Sequence, residues 1–198
     1  MEINKKPAYS VIVDLEATCC DQNSFPREEM EIIEIGAVRI SYANGEIESE
    51  FDAFVKPVRN PLLTPFCTGL TTISQEDVER AAFYPNVLAD FSAWLGEQPD
   101  YDFCSWGDYD RKQFLRDCNF HGVAYPFHGG HRNLKMEFSG VSGGKKRYGL
   151  GGAIRKIGLE FEGTAHRGID DARNIARVYQ YLLGKTDRSS TSDSLKTN

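Results

Sequence analysis

Asp14 and Glu16 stand two residues apart in Val11-Ile12-Val13-Asp14-Leu15-Glu16-Ala17-Thr18, where three β-branched apolar residues run directly into two acids. On a strand, side chains two apart share a face, ~7 Å from each other at a rise of ~3.3 Å per residue. Asp14 and Glu16 then point one way, and Leu15 points the other, into packing. Two carboxylates at the end of a buried strand repel each other and resist ionising together. A hard divalent cation removes that conflict, because it prefers oxygen ligands. An isolated D-x-E is more often a solvated strand end, so the rest of the chain must supply further inward acids and a base.

Two later segments do so. Between Ser105 and Leu115, helical spacing puts Asp108 on a face with Arg111 and Lys112, and Asp110 on a face with Phe114 and Cys118. The first face is solvated; the second meets a core, where an acid needs a partner. Between His166 and Ile175 the same test groups Asp170 with Arg173, Asn174 and Arg177, and Asp171 with Ile175, Val178 and Leu182. In each pair the second acid is the inward one. His166 precedes this helix, set off by Gly168, so it can lie over the same pocket. A lone histidine is usually structural, but one placed a turn before an inward acid is a candidate base, with an unperturbed pKa of about 6.5.

The elements that must carry these groups follow from the pattern. The acid strand is succeeded by a polar loop from Cys19 to Glu29 and a strand from Glu31 to Ile40. Asn44-Gly45 marks a hairpin that returns through Ile47, Phe51, Phe54 and Val55 to Lys56-Pro57. A short helix is expected near Leu62 to Cys67, with Thr68 to Ile73 as a connection. Ser74 caps the next helix, and Pro85 opens one with Val87, Leu88, Phe91, Trp94 and Leu95 on one stripe. A strand over Tyr101 to Trp106 leads into a helix from Asp108 to Cys118. Residues 119–144 hold six glycines and read as irregular, apart from a short helix near Arg132 to Phe138. Leu150 to Ile157 is helical, Gly158 stops it, and a last helix covers Ile169 to Leu183.

These elements amount to a strand-rich first third followed by strand and helices, an α/β arrangement on a mixed sheet. The expected division is a short N-terminal extension (1–8), one domain (9–185) and a disordered Ser/Thr/Lys-rich tail (186–198). A net charge of −6 argues against a broad polyanion-binding surface, but not against one groove with local cations. Five cysteines without framework spacing fit a reducing compartment, and no apolar run approaches a membrane span, so the expected location is cytoplasmic. Cys118, His121, His128 and His131 have some zinc-ligand spacing, C-x2-H-x6-H-x2-H, without a recognisable zinc motif around them.

Taken together, Asp14-Leu15-Glu16, Asp110 followed by Phe114-Leu115, and His166 followed by Asp171 resemble the DEDDh branch of the DnaQ-like, RNase H-type 3′→5′ exonucleases. The match is to the Eri-type exoribonucleases in particular. It is carried further by Phe66-Cys67-Thr68-Gly69-Leu70-Thr71-Thr72-Ile73, by the Trp-Gly-Asp-Tyr-Asp stretch at 106–110, and by the run from Gly158 to Ala176. It spans roughly Tyr9 to Leu183 in the family's order. No stretch resembles the SAP-type RNA-binding region that some relatives carry.

The resemblance implies an RNase H-like mixed central sheet flanked by helices. It also implies a metal-dependent exonuclease releasing 5′-mononucleotides from single-stranded 3′ ends, RNA before DNA. Two Mg²⁺ or Mn²⁺ ions would be held, with Asp14 bridging both, Glu16 and Asp171 completing the first site and Asp110 the second. His166 would be the general base. Ala17 and Thr18 would approach the terminal 3′-OH through their backbone, and Leu70 and Thr71 would pack on the last base. Lys145-Lys146-Arg147-Tyr148 is either a phosphate-binding loop with Tyr148 stacking on a base, or simply a solvated loop. The alternatives are a DNA-directed or proofreading-type exonuclease and a non-catalytic RNA-binding module of the same fold. The latter is expected to lack a ligand or the base, and all five are present.

Overall fold

The computed structural model describes residues 7–21, 23–96, 101–144 and 146–193. Among the described residues six strands form one sheet: β1 (Tyr9–Ala17), β2 (Ile32–Ser41), β3 (Ile47–Lys56), β4 (Ala82–Phe83), β5 (Tyr101–Ser105) and β6 (His131–Asn133), in the order β4-β3-β2-β1-β5-β6. β1 is central, antiparallel to β2 and parallel to β5. Among the described residues seven α-helices cover the sheet: α1 (Pro65–Thr71), α2 (Gln75–Arg80), α3 (Tyr84–Leu95), α4 (Tyr109–His121), α5 (Leu134–Val141), α6 (Leu150–Lys156) and α7 (Gly168–Asp193). The expected mixed sheet flanked by helices is what the chain forms.

The pleat of β1 divides the core. Val11, Val13 and Leu15 pack with Val87, Leu88 and Phe91 of α3 and Phe114 and Cys118 of α4. Ile12 faces the other way, against Phe138 of α5, Ile154 of α6 and Ile175, Val178 and Tyr179 of α7. Asp14 and Glu16 continue the Ile12 row, so the acid pair emerges on the α7 side just where apolar packing ends.

Several boundaries differ from the sequence pattern. The helix expected at Leu62 to Cys67 is α1, three residues later. Thr64 caps it by accepting the Cys67 N–H at 3.0 Å, and Pro65 occupies the first turn, where its missing donor costs nothing. This shift puts Leu70 on a helix instead of in a connection. The glycine-rich stretch contains β6 as well as α5. Three polar residues, His131-Arg132-Asn133, give no hydrophobic alternation to read, yet they pair with Phe103 to Ser105, and Asn133 then caps α5. β4 is only two residues long. α7 continues past Leu183 to Asp193, because extending an anchored helix is far easier than starting one. The last part of the expected tail, 194–198, and residues 1–6 of the expected N-terminal extension lie outside the described residues.

One close approach fixes α7 to the sheet. Gly36 of β2 lies directly under Gly168, and a Cβ at Gly36 would fall 2.0 Å from the Gly168 carbonyl carbon. An isolated glycine within a strand often marks such a backbone contact. Gly36→Ala is therefore expected to displace the start of α7 and lower Tm. Overpacking costs ~1–3 kcal/mol, at roughly 2–4 °C per kcal/mol for a chain of this size. Gly69→Ala, whose Cβ meets open space inside α1, should leave Tm unchanged or raise it. Thermal unfolding of the two variants checks this, and an unshifted Gly36→Ala would contradict the close approach.

Candidate active site

β1 keeps its β5 partner only as far as Ile12 opposite Cys104. Beyond that point the Leu15 N–H has no strand to bond, and α4 supplies the acceptor: Asp110 Oδ1 takes it at 3.2 Å. Asp110 thereby reaches the end of β1 although its own helix packs on the opposite core. From the other side, Asp171 in the first turn of α7 accepts the His166 N–H on Oδ2 at 3.0 Å. Ligand atoms of Glu16, His166 and Asp171 all lie within 4.8 Å of one another, the one such group among the described residues. A register shift of β1 at Glu16/Ala17 sits beside them, as bulges often do where a strand must aim a functional side chain.

Asp14, Glu16, Asp110, His166 and Asp171 all line one cavity of about 360 Å³. Its walls are Leu15, Ala17, Cys19, Met30, Leu70, Trp106, Tyr109 and Leu150. The carboxyls are held far from their ordinary acidity. Burial, then the neighbouring Asp110, Asp171, Glu16 and Glu34, raise Asp14 well above the carboxylate range. Burial and the Asp171 and Glu34 charges push Glu16 up to about 8. Burial raises Asp110 and Asp171 to about 6, partly relieved at Asp110 by its own backbone N–H, then Ser105 and the Leu15 N–H, and at Asp171 by the His166 N–H. The leading influences on Asp14 and Glu16 all oppose the charged form. A dense set of oxygen donors without a counter-charge is what hard divalent cations fit.

A second set of residues holds this set in place. Glu34, fully buried on β2, receives the Arg167 guanidinium (Nη2–Oε1 3.0 Å) and the Gly168 N–H (2.8 Å). This fork clamps the two residues that follow His166. His166 itself has φ +63°, a left-handed conformation uncommon outside glycine, and its side chain is exposed at the cavity. On the α4 side, Gln113 Nε2 donates to the Met30 carbonyl at 2.7 Å, and Asp117 accepts the Ile32 N–H at 3.2 Å, which seats Met30 in the cavity wall.

The outward acids are elsewhere. Asp108 is half exposed and lies 3.7 Å from His131 Nδ1, while Asp170 accepts the Thr164 N–H at 2.8 Å and pairs with Arg173. The Asp170 face is less solvated than its charges suggest, since Asn174 is fully buried, bonding Glu162 in the preceding loop. Of the residues expected at the substrate, Ala17 and Leu70 line the cavity, whereas Thr18 and Thr71 do not. Thr18 exchanges hydrogen bonds with Glu31 through its N–H (2.8 Å) and its hydroxyl (3.0 Å). The Thr71 hydroxyl donates to the Cys67 carbonyl at 2.9 Å. The Tyr148 ring packs edge-on against Phe138 with Lys146 over it, and Lys145 lies outside the described residues. The zinc-like spacing brings no cluster together. Cys118 meets the Tyr84 hydroxyl at 3.3 Å, His121 stacks on Tyr84, His131 bonds Ser105 at 2.8 Å, and His128 is exposed. Trp106, Tyr109, Met30 and Glu34 were not legible as site residues, because apolar walls and buried clamps have no spacing rule.

The family model for exonucleases (RNase_T) matches residues 11–179. Among relatives, ERI1 exoribonuclease 2 of Xenopus laevis is 31% identical over 197 residues, covering 88% of this chain and 28% of the relative. The 3′-5′ exoribonuclease 1 of Rattus norvegicus is 34% identical over 184 residues, covering 88% of this chain and 53% of the relative. The solved nuclease domain of 3′hExo, a DEDDh family member bound to rAMP, superposes with a TM-score of 0.84 at 30% identity, covering 92% of this chain and 95% of that one. The chain belongs to this exonuclease family, in its DEDDh branch and of the Eri type. It spans about half or less of the length of these two full-length relatives. The family fold carries a dependence on divalent metal.

The raised acids set the pH behaviour of the metal-free protein. Each folded pKa exceeds the unfolded value of about 4, so the folded state binds more protons between them and stability falls as pH rises. With EDTA present, Tm is expected to decline between about pH 5 and about pH 9 as Asp110 and Asp171, then Glu16, lose their protons. The decline should be shallower in Glu16→Gln. Added Mn²⁺ should stabilise more at the alkaline end, where the ligands are already deprotonated. Calorimetric scans across pH check this; a metal-free Tm that climbs over the same range would contradict it.

Proposed function

We propose that this chain is a divalent-metal-dependent 3′→5′ exoribonuclease that removes 5′-mononucleotides one at a time from single-stranded RNA. The observation that carries the reading is the convergence of Asp14, Glu16, Asp110, Asp171 and His166 on a single cavity with an apolar wall at Leu70 and an aromatic one at Trp106. Two such walls suit a terminal base, held by stacking without regard to its identity. The relatives are named exoribonucleases, and the superposed nuclease domain is described with rAMP, which supports RNA as the substrate.

Asp14, Glu16, Asp110 and Asp171 would hold two Mg²⁺ or Mn²⁺ ions, which when bound supply an activated water and charge to stabilise the leaving 3′ oxygen. His166 takes the proton of the attacking water on an imidazole nitrogen and, being exposed, passes it to solvent. Asp171 holds the His166 backbone, while Glu34 fixes Arg167 and Gly168 behind it. Ala17 approaches the terminal sugar; the Thr18 N–H is committed to Glu31 and takes no part. Lys146 and Arg147, exposed on the loop that Trp106 tethers through the Tyr148 carbonyl at 3.2 Å, would meet upstream phosphates. No helix among the described residues is long and apolar enough to cross a membrane. The five unpaired cysteines favour a reducing compartment such as the cytoplasm.

Incubation of a 5′-labelled single-stranded RNA and the matching DNA, with Mg²⁺ and with EDTA, tests the reading. A metal-dependent ladder of single-nucleotide steps, faster on RNA, is expected; binding of RNA without cleavage would instead favour a non-catalytic module. His166→Ala should lower kcat by ~10²–10⁴-fold while Mn²⁺ binding by calorimetry survives, since the four carboxylates remain. Loss of metal in that variant would make His166 a ligand and overturn its role as base.

A further inference from the structure

α4 carries more than Asp110. Tyr109, Lys112, Arg116 and Phe120 recur at three- and four-residue steps, so they form one stripe along the helix, ~16 Å long. The stripe starts in the cavity, where Tyr109 is part of the wall, and ends at Phe120, a ring 43% exposed. Lys112 is exposed, and half-buried Arg116 donates to Gln113 Oε1 at 3.3 Å. Two further cations lie alongside. Arg27, in a 3-10 turn over Arg27–Glu29, sits above the Tyr109 ring, its Cζ 5.9 Å from the centre. Arg59 stacks on Phe120, Cζ 3.4 Å from the ring centre, and donates through Nη1 to the Glu28 carbonyl at 3.0 Å. Among the described residues none of these four cations is paired with a carboxylate. Glu28 and Glu29 share the turn with Arg27 and are exposed, while buried Glu31 is spent on the N–H groups of Val58, Arg59 and Asn60.

We propose that this stripe is a track for the single strand upstream of the scissile nucleotide, with phosphates on Arg27, Lys112 and Arg116 and a base on the exposed side of Phe120. The proposal rests on the exonuclease reading, which places the 3′ end of that strand in the cavity. Cations alone would suit any acidic partner. Cations between aromatic rings suit single-stranded nucleic acid, whose backbone follows the charge while its bases stack. A duplex fits less well, because its bases are already stacked on one another and leave no face for Phe120. In a chain of net charge −6, four unpaired cations beside one cavity are a local departure from the average, of the kind that steers a polyanion to one place. Phosphate contacts and one stacked base read no base edge. The track therefore makes affinity depend on strand length and leaves sequence preference untouched.

Fluorescence anisotropy of the full chain with 5′-labelled oligouridylates, in EDTA so that nothing is cut, tests the track. A strand of ~12 nucleotides, within the span of such surfaces, should bind far more tightly than a dinucleotide. Each phosphate contact to a single strand contributes ~0.7 to the slope of log affinity against log salt, so Lys112→Ala/Arg116→Ala should flatten that slope by ~1.4. Phe120→Ala should weaken the long strand ~5–100-fold. Arg111→Ala, which removes a charge from another face of the same helix, should change neither, and thermal unfolding should show all these variants folded. With Mg²⁺, the stripe variants should raise KM on the long strand while kcat and dinucleotide cleavage stay as they are. An unchanged salt slope, an equal loss in Arg111→Ala, or a length dependence residing wholly in Lys146 and Arg147 would each overturn the proposal. Binding is read without cleavage, so a chain that trims no RNA still reports on the track, and the two readings fail separately.

Discussion

Four carboxyl groups crowd one end of β1, and their mutual repulsion is the constraint to which the surrounding structure answers. Left to themselves, Asp14 and Glu16 resist ionisation: burial and then the Asp110 and Asp171 charges hold Asp14 well above its ordinary value, and burial with the Asp171 and Glu34 charges pushes Glu16 up to about 8. The fold spends hydrogen bonds on the outer two acids, Leu15 N–H on Asp110 and His166 N–H on Asp171, and none on the inner two among the described residues. That asymmetry leaves the most strained oxygens facing the cavity, where a divalent cation is the group able to relieve them.

Holding repelling charges together needs rigid attachment, and it comes from three directions. β1 is the centre of the sheet, paired on both sides up to Ile12. α4 is tied to the β1 and β2 ends through Asp110, Gln113 and Asp117. α7 is pressed onto β2 by the Gly36–Gly168 contact and clamped by Glu34 through Arg167. Glu34 forms a buried ion pair whose value is positional: it fixes the turn in which His166 adopts a positive φ, so the histidine is presented and not left on a free loop.

Much of this was readable in the chain. The inward and outward members of each acid pair followed from helical spacing alone: Asp110 and Asp171 are buried, Asp108 is half exposed, and Asp170 points away from the cavity. The capping box at Ser74 and the hairpin at Asn44-Gly45 were equally legible, because each is a local signal with a fixed offset. What was not legible depends on distant partners. β6 has no alternation, α1 begins at a proline that reads as punctuation, and Glu34 looks like any acid in a strand until Arg167 is folded against it. Thr18 was expected to meet the substrate through its backbone and Thr71 to pack on the last base, but neither lines the cavity: the Thr18 N–H is bonded to the Glu31 carbonyl and the Thr71 hydroxyl to the Cys67 carbonyl.

The central claim is that these four carboxylates form one site for two divalent ions. Anomalous diffraction from crystals equilibrated with Mn²⁺ tests it most directly. Two peaks are predicted in the cavity, with Asp14 contacting both, Glu16 and Asp171 at one and Asp110 at the other. A single peak that Asp14 does not touch, or no peak in the cavity at saturating Mn²⁺, would contradict the account.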